Sequence, residues 1–146
     1  MLRYFGLLRR TMEPFFAGHG ISVSQWGMLR ALLRADHDGH TGLRLMDLGE
    51  RLLVRPPSVS GVVRRLTAMG LVKTVPSGDD HRARLVSLTA KGRQLVERVG
   101  EAHVQRVREI YAALDEHELA GLSSSLSKLC HRMEEISREN CEKEQA

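Results

Sequence analysis

Leu71-Val72-Lys73-Thr74-Val75-Pro76-Ser77-Gly78-Asp79-Asp80-His81-Arg82-Ala83-Arg84-Leu85-Val86-Ser87-Leu88-Thr89 is the stretch that decides the fold. Residues 71–75 and 84–89 are rich in β-branched side chains and partly alternate, and the segment 76–80 between them is polar and turn-forming. That pattern predicts a β-hairpin with a polar tip. Both flanks have a helical period instead. Upstream, Pro56-Pro57 marks a helix start, because proline lacks only an N–H that the first turn leaves unused. Val59, Val62, Val63 and Leu66 give that helix, Pro56–Met69, its buried face, and Gly70 ends it. Before it, Leu45, Leu48, Leu52 and Leu53 form a helical stripe over 45–53. Two helices in tight succession followed by a hairpin predict a winged helix-turn-helix over Leu43–Gly92. The expected fold class is mainly α with a small β-hairpin wing (α+β).

The rest of the chain reads as helix. Leu2, Phe5, Leu8 and Met12 predict a first helix from Met1 to about Phe16, broken by Gly18-His19-Gly20. Ser22 with Gln25 resembles a capping box for a second helix, which carries Trp26, Leu29, Leu32 and Leu33 and ends near Arg34. A polar loop follows, 36–42. Beyond the hairpin, Thr89 caps a long helix with a stripe of Leu95, Val99, Val107, Ile110 and Leu114. Asp115-Glu116-His117-Glu118 then breaks the chain and caps a last helix. There Leu119, Leu122, Leu126, Leu129, Met133 and Ile136 alternate spacings of three and four, the seam of a helix packed lengthwise against another. Residues 1–20 and 93–146 are therefore expected to form a helical dimerisation region, with Leu2, Phe5 and the six seam residues at the interface. Residues 21–92 are expected to form the winged module.

Composition narrows the partners. The 146 residues carry a net charge of +4, unevenly spread. Residues 43–92 hold nine basic and four acidic side chains, and residues 93–146 hold eight basic and eleven acidic ones. A basic middle fits a polyanion, and charge alone fits a solvated surface as well. In the Pro56–Met69 helix, Ser58, Ser60 and Gly61 are small enough for close approach to base edges. Arg55, Arg64 and Arg65 suit phosphates or guanine edges. At the hairpin, Lys73, Asp80, His81, Arg82 and Arg84 complete the candidate DNA-binding set. Arg82 fits a narrow minor groove, and Asp80 is placed to hold its guanidinium.

Residues 24–92 resemble the multiple-antibiotic-resistance regulator (MarR) family of bacterial repressors. The resemblance lies in Ser24-Gln25-Trp26-Gly27-Met28-Leu29, Leu45-Met46-Asp47-Leu48-Gly49-Glu50-Arg51-Leu52, Ser58-Val59-Ser60-Gly61-Val62-Val63-Arg64-Arg65-Leu66 and Met69-Gly70-Leu71-Val72. It is most specific in Asp80-His81-Arg82 running through the second strand into Leu88-Thr89-Ala90-Lys91-Gly92. The terminal helices match in length and pattern. The resemblance implies a triangular homodimer whose terminal helices interlock and whose two wings enter the halves of a palindrome. It also implies a pocket between the dimer helices and the winged helix for a small aromatic or phenolic effector. Tyr4, Met12, Phe15, Phe16, Trp26 and Met28 are candidates to line it, though each also fits ordinary core.

Other classes find less support. Seven histidines, His37 and His40 among them, show no ligand spacing, so no metal and no cofactor is expected. Cys130 and Cys141 are too far apart along one helix for a disulfide, which suits a reducing cytoplasm. A metal- or redox-sensing regulator using His or Cys remains an alternative, as does a winged helix used for protein–protein contact. Peroxide-sensing family members resemble one another in an N-terminal cysteine, and residues 1–43 hold none. No His-Glu-x-x-His, nucleophile elbow or phosphate loop occurs, so no enzyme is expected. There is no apolar run of membrane length and no secretory signal, so the expected location is cytoplasmic.

Overall fold

The computed structural model describes residues 2–53, 56–76 and 84–144. Its elements are α1 (Leu2–Gly18), α2 (Val23–His37), β1 (Leu43–Arg44), α3 (Leu45–Leu52), α4 (Pro56–Ala68), β2 (Val72–Pro76), β3 (Arg84–Leu88), α5 (Ala90–Tyr111) and α6 (Glu116–Glu144). They fall into two compact units, Met1–Ala102 and His103–Ala146. No described helix is long and apolar enough to cross a membrane.

The first unit is built on capped helices. Ser22 caps α2 as expected: its hydroxyl accepts from the Gln25 N–H at 3.2 Å, and the Gln25 side chain accepts from the Ser22 N–H at 2.7 Å. The helix runs to His37, three residues past the expected end. Asp47 accepts from the Arg44 N–H at 3.2 Å at the start of α3. The α4 helix ends in a Schellman turn, with the Gly70 N–H donating to Thr67 and the Leu71 N–H to Leu66, both at 2.9 Å. That turn needs the left-handed backbone Gly70 supplies (φ +70°).

The sheet is antiparallel in the order β1-β3-β2. The hairpin pairs Val72 with Leu88 and Pro76 with Arg84. The third strand, β1, pairs Leu43 with Val86. At two residues it is too short to show a period in sequence. Leu43, Val72, Val86 and Leu88 are buried together with Leu29, Leu32, Leu48, Val59 and Leu66. Burying such a side chain contributes roughly 1.5–3 kcal/mol.

Two stripes differ from expectation. On α3 only Leu48 is buried; Leu45 is partly exposed, and Leu53 lies beyond the helix end, 91% exposed with φ 53°. A one-turn-and-a-half helix followed by a left-handed residue turns its last leucine away from the stripe. On α5 the buried face is Gly92, Val96 and Val99, not Leu95 and Val99. Spacings of four and three centre that face one residue later because Gly92 is the point of closest approach. The four buried residues expected on α4 are all buried.

The start of α5 is tied to the end of α4. The Thr89 hydroxyl donates to the Gly70 carbonyl at 2.7 Å and accepts from the Gly92 N–H at 3.0 Å. The Thr89 N–H donates to the Leu71 carbonyl at 3.1 Å, and the Lys91 ammonium donates to the Met69 carbonyl at 2.9 Å. A Cβ at position 92 would lie 2.0 Å from the Leu71 carbonyl oxygen. A second tie joins α2 to α5, an ion pair between Asp36 and Arg93. The hydrogen bond from Arg93 holds the Asp36 carboxyl below its ordinary value, and Asp36 in turn raises the Arg93 guanidinium.

Gly92→Ala should destabilise the fold by about 2–4 kcal/mol, because the obstacle is backbone that cannot rotate away. Thermal melting checks this. Asp36 releases its proton more readily folded than unfolded, so its contribution is full above the ordinary carboxylate value of 3.8 and is lost as pH falls below it. Asp36→Asn should therefore lower the melting temperature at neutral pH. It should also leave a shallower fall in melting temperature between about pH 5 and pH 3.

Candidate nucleic-acid interface

The outward side of α4 is the starting point. With 3.6 residues per turn, Val59, Val62, Val63 and Leu66 face inward. Gly61 and Arg64 then lie near the middle of the opposite face, with Ser60 and Arg65 flanking and Ser58 at its edge. Ser58, Ser60, Arg64 and Arg65 are exposed and Gly61 half-buried. One helix face thus brings together five of the candidate DNA-binding residues.

This face is small at its centre and cationic at its C-terminal half. A Cβ added at Gly61 would meet only the Arg65 guanidinium, at 3.9 Å. The glycine is therefore not required by packing, although it costs a helix interior about 1 kcal/mol relative to alanine. No acidic residue occurs from 56 to 76. Arg64, Arg65, Lys73 and Arg84 enter no ion pair among the described residues. Unneutralised guanidinium and ammonium groups on one surface attract phosphate.

The hairpin splits its two described cations. In an antiparallel ribbon successive side chains alternate faces, and Lys73 pairs with Ser87 while Arg84 pairs with Pro76. Arg84 therefore shares a face with Val86 and Leu88, and Lys73 lies on the other. Arg55, Asp80, His81 and Arg82 lie outside the described residues.

The six residues read as a pocket do not gather into one wall. Met12, Phe16, Trp26 and Met28 are buried. The Phe16 and Trp26 rings stand 5.5 Å apart and Phe15 stacks edgewise on Phe16 at 5.0 Å. Tyr4 is 45% exposed and sits against Phe5 at 5.6 Å, turns away along α1. Met28 also lines a separate cavity between α2 and α4. Sequence reasoning missed that cavity, and its one sequence signal is Gly27 in the middle of a helix. Among the described residues no group of three His, Cys, Asp or Glu is placed to hold a metal ion. Cys130 is exposed on α6.

A family model described as the MarR family matches residues 19–83, from the end of α1 into the wing. The transcriptional activatory protein BadR of Rhodopseudomonas palustris is 29% identical over 99 residues, 68% of this chain and 55% of BadR. The homoprotocatechuate degradative operon repressor of Escherichia coli is 25% identical over 85% of this chain and 76% of its own length. The chain belongs to the MarR family. Its fold is that of MepR from S. aureus as solved in a DNA complex, with a TM-score of 0.77 at 21% identity, covering 90% of this chain and 91% of that one. The MarR match spans the elements that position α4, so the outward face described above sits on the family's shared scaffold.

Gly61→Ala in this MarR-family chain should raise stability by about 1 kcal/mol, since the methyl meets open space on a helix. Chemical denaturation measures it, and a loss of stability would show that the fold needs the glycine.

Proposed function

We propose that two copies of this chain bind a palindromic double-stranded DNA site and that a small ligand weakens the complex, making it a ligand-responsive repressor of the cytoplasm without catalytic activity. The observation that carries this reading is the outward face of α4: small at Ser58, Ser60 and Gly61, cationic at Arg64 and Arg65, with no acidic residue nearby. In this reading α4 enters a major groove. Arg55 and Lys73 hold phosphates, Arg84 supports the wing, and the tip residues Asp80, His81 and Arg82 carry a guanidinium into the adjacent minor groove. The MepR chain that shares the fold was solved with DNA.

Dimerisation is supported by the second unit. Leu122, Leu126, Leu129, Met133 and Ile136 are 37–59% exposed along one side of α6. Tyr111, Leu119, Leu122 and Leu126 line an apolar cavity of about 500 Å³ beside that stripe. A seam of this kind is stable when a second helix covers it. Leu2, Phe5 and Leu119 would extend the interface, so the dimerisation region spans 1–20 and 93–146 and the winged module 21–92. Two copies place two α4 helices for half-sites ~34 Å apart, one turn of DNA. A ligand that changes that separation weakens contacts in both halves. An aromatic effector is supported by the buried cluster of Phe15, Phe16, Trp26, Met12 and Met28 and by the relative that represses a homoprotocatechuate operon.

The test uses a duplex recovered by selection from random DNA and fluorescence anisotropy across a salt series. Affinity should fall linearly on a log–log plot, by roughly 0.9 per phosphate contact. Arg82→Ala should weaken binding by roughly 5- to 150-fold while sedimentation still reports a dimer. Binding indifferent to salt would overturn the reading, and full affinity in the Arg82 variant would remove the wing from it.

A further inference from the structure

A cavity of about 290 Å³ lies behind the N-terminal half of α4. Its walls come from the start of α2 (Val23 to Met28), from Leu52 at the end of α3, and from Ser58, Val59 and Val62 of α4. It is separate from the ring cluster of Phe15, Phe16 and Trp26 and lies on the inward side of the helix whose other face meets DNA in the reading above.

The chemistry of the walls is specific in what it lacks. No lining residue is charged, so nothing there offsets the desolvation of a carboxylate or an ammonium. The walls are aliphatic and thioether, with hydroxyls from Ser24 and Ser58. An engineered apolar cavity of 150 Å³ accepts benzene, so this space holds one ring and a substituent. Gly27 marks the space as one the chain leaves open. A Cβ there would stand 3.6 Å from Leu52 Cδ2, an ordinary contact, and alanine would also favour the helix.

We infer that this cavity binds a small uncharged molecule, a single ring bearing one hydroxyl, and that its occupancy shifts the N-terminal end of α4. The hydroxyl bonds to Ser24 or Ser58, and the ring lies against Met28, Val59 and Val62. Ser58 stands at the cavity and also at the edge of the DNA-facing side, so ligand and DNA draw on the same side chain. The regulatory half of this inference rests on the DNA-binding reading; the binding half does not.

The probe is phenol with the full chain, followed by calorimetry and thermal shift, with benzoate and toluene beside it. Phenol should bind the wild type, toluene more weakly, and benzoate not at this site. Gly27→Ala should weaken phenol roughly fivefold or more, as a methyl placed into occupied space does, and Gly27→Val should abolish it. Melting curves establish that each variant is folded, and the alanine variant decides alone if the valine variant is not. Phenol should weaken DNA binding of the wild type and leave that of Gly27→Ala nearly unchanged. Absence of phenol binding, or equal affinity in wild type and both variants, overturns the site. Benzoate binding that depends on Gly27 overturns the uncharged class, and toluene binding as tightly as phenol overturns the hydroxyl. Phenol binding without any effect on DNA overturns the coupling. A wild type that binds no DNA in the absence of phenol overturns the functional reading and leaves the cavity to be judged by calorimetry.

Discussion

The carbonyls left open where α4 ends set the geometry of the winged module. A helix leaves its last carbonyls without intrahelical partners, and here those of Met69 and Gly70, with Leu71 just beyond, are taken up by Lys91 and Thr89. Thr89 does this from the one position where its hydroxyl also caps α5 through the Gly92 N–H. The price of that economy is space: the first turn of α5 must lie on the Leu71 carbonyl, and only a residue without a Cβ allows it. Threonine and glycine three apart are therefore one device. It fixes where the wing's second strand ends, where α5 departs, and at what angle α4 stands.

With α4 held at its C-terminal end, its two sides serve different purposes. The inward side closes the core through Val59, Val62, Val63 and Leu66. The outward side has no packing duty, as the open space around Gly61 shows. Charge follows the same division. The one described ion pair between elements of the first unit, Asp36 with Arg93, lies at the α2–α5 junction, and the cations of α4 and the hairpin are left unneutralised. Stability and recognition thus draw on different residues of the same small module.

Much of this was legible in sequence because the signals are local. Ser22 with Gln25 and Asp115 with Glu118 are capping boxes whose spacing is the contact: in the second, Asp115 and Glu118 exchange bonds of 2.8 and 2.9 Å. The valine face of α4 and the hairpin strands likewise follow from periodicity. What was not legible depends on contacts between distant segments. Strand β1 exists only because Leu43 meets Val86, and two residues carry no period. Leu53 extended the leucine stripe in sequence, yet a left-handed backbone turns it to solvent. On α5 the stripe was misplaced by one residue because Gly92, not a large side chain, makes the closest contact. The small-residue face of α4 was readable as a candidate site, while the split of Lys73 from Arg84 needed the strand register.

The asymmetry of α4's supports determines how the helix responds to force. Its C-terminal end is tied to α5 through backbone carbonyls and side-chain donors, while its N-terminal half rests partly over open space beside Gly27. A helix so held pivots about its tethered end. At ~1.5 Å per residue, its 13 residues make a lever of roughly 20 Å, so a tilt of ~10° moves the far end by roughly 3 Å. Ser58, Ser60 and Gly61 are near that far end, and Arg65 near the pivot moves far less. A displacement of that size exceeds the tolerance of a hydrogen bond to a base edge, which is lost beyond about 3.5 Å, while a flexible guanidinium keeps its phosphate. Motion of this kind erases base readout before it erases charge attraction, so a chain built this way loses specificity for its site sooner than its general affinity for DNA.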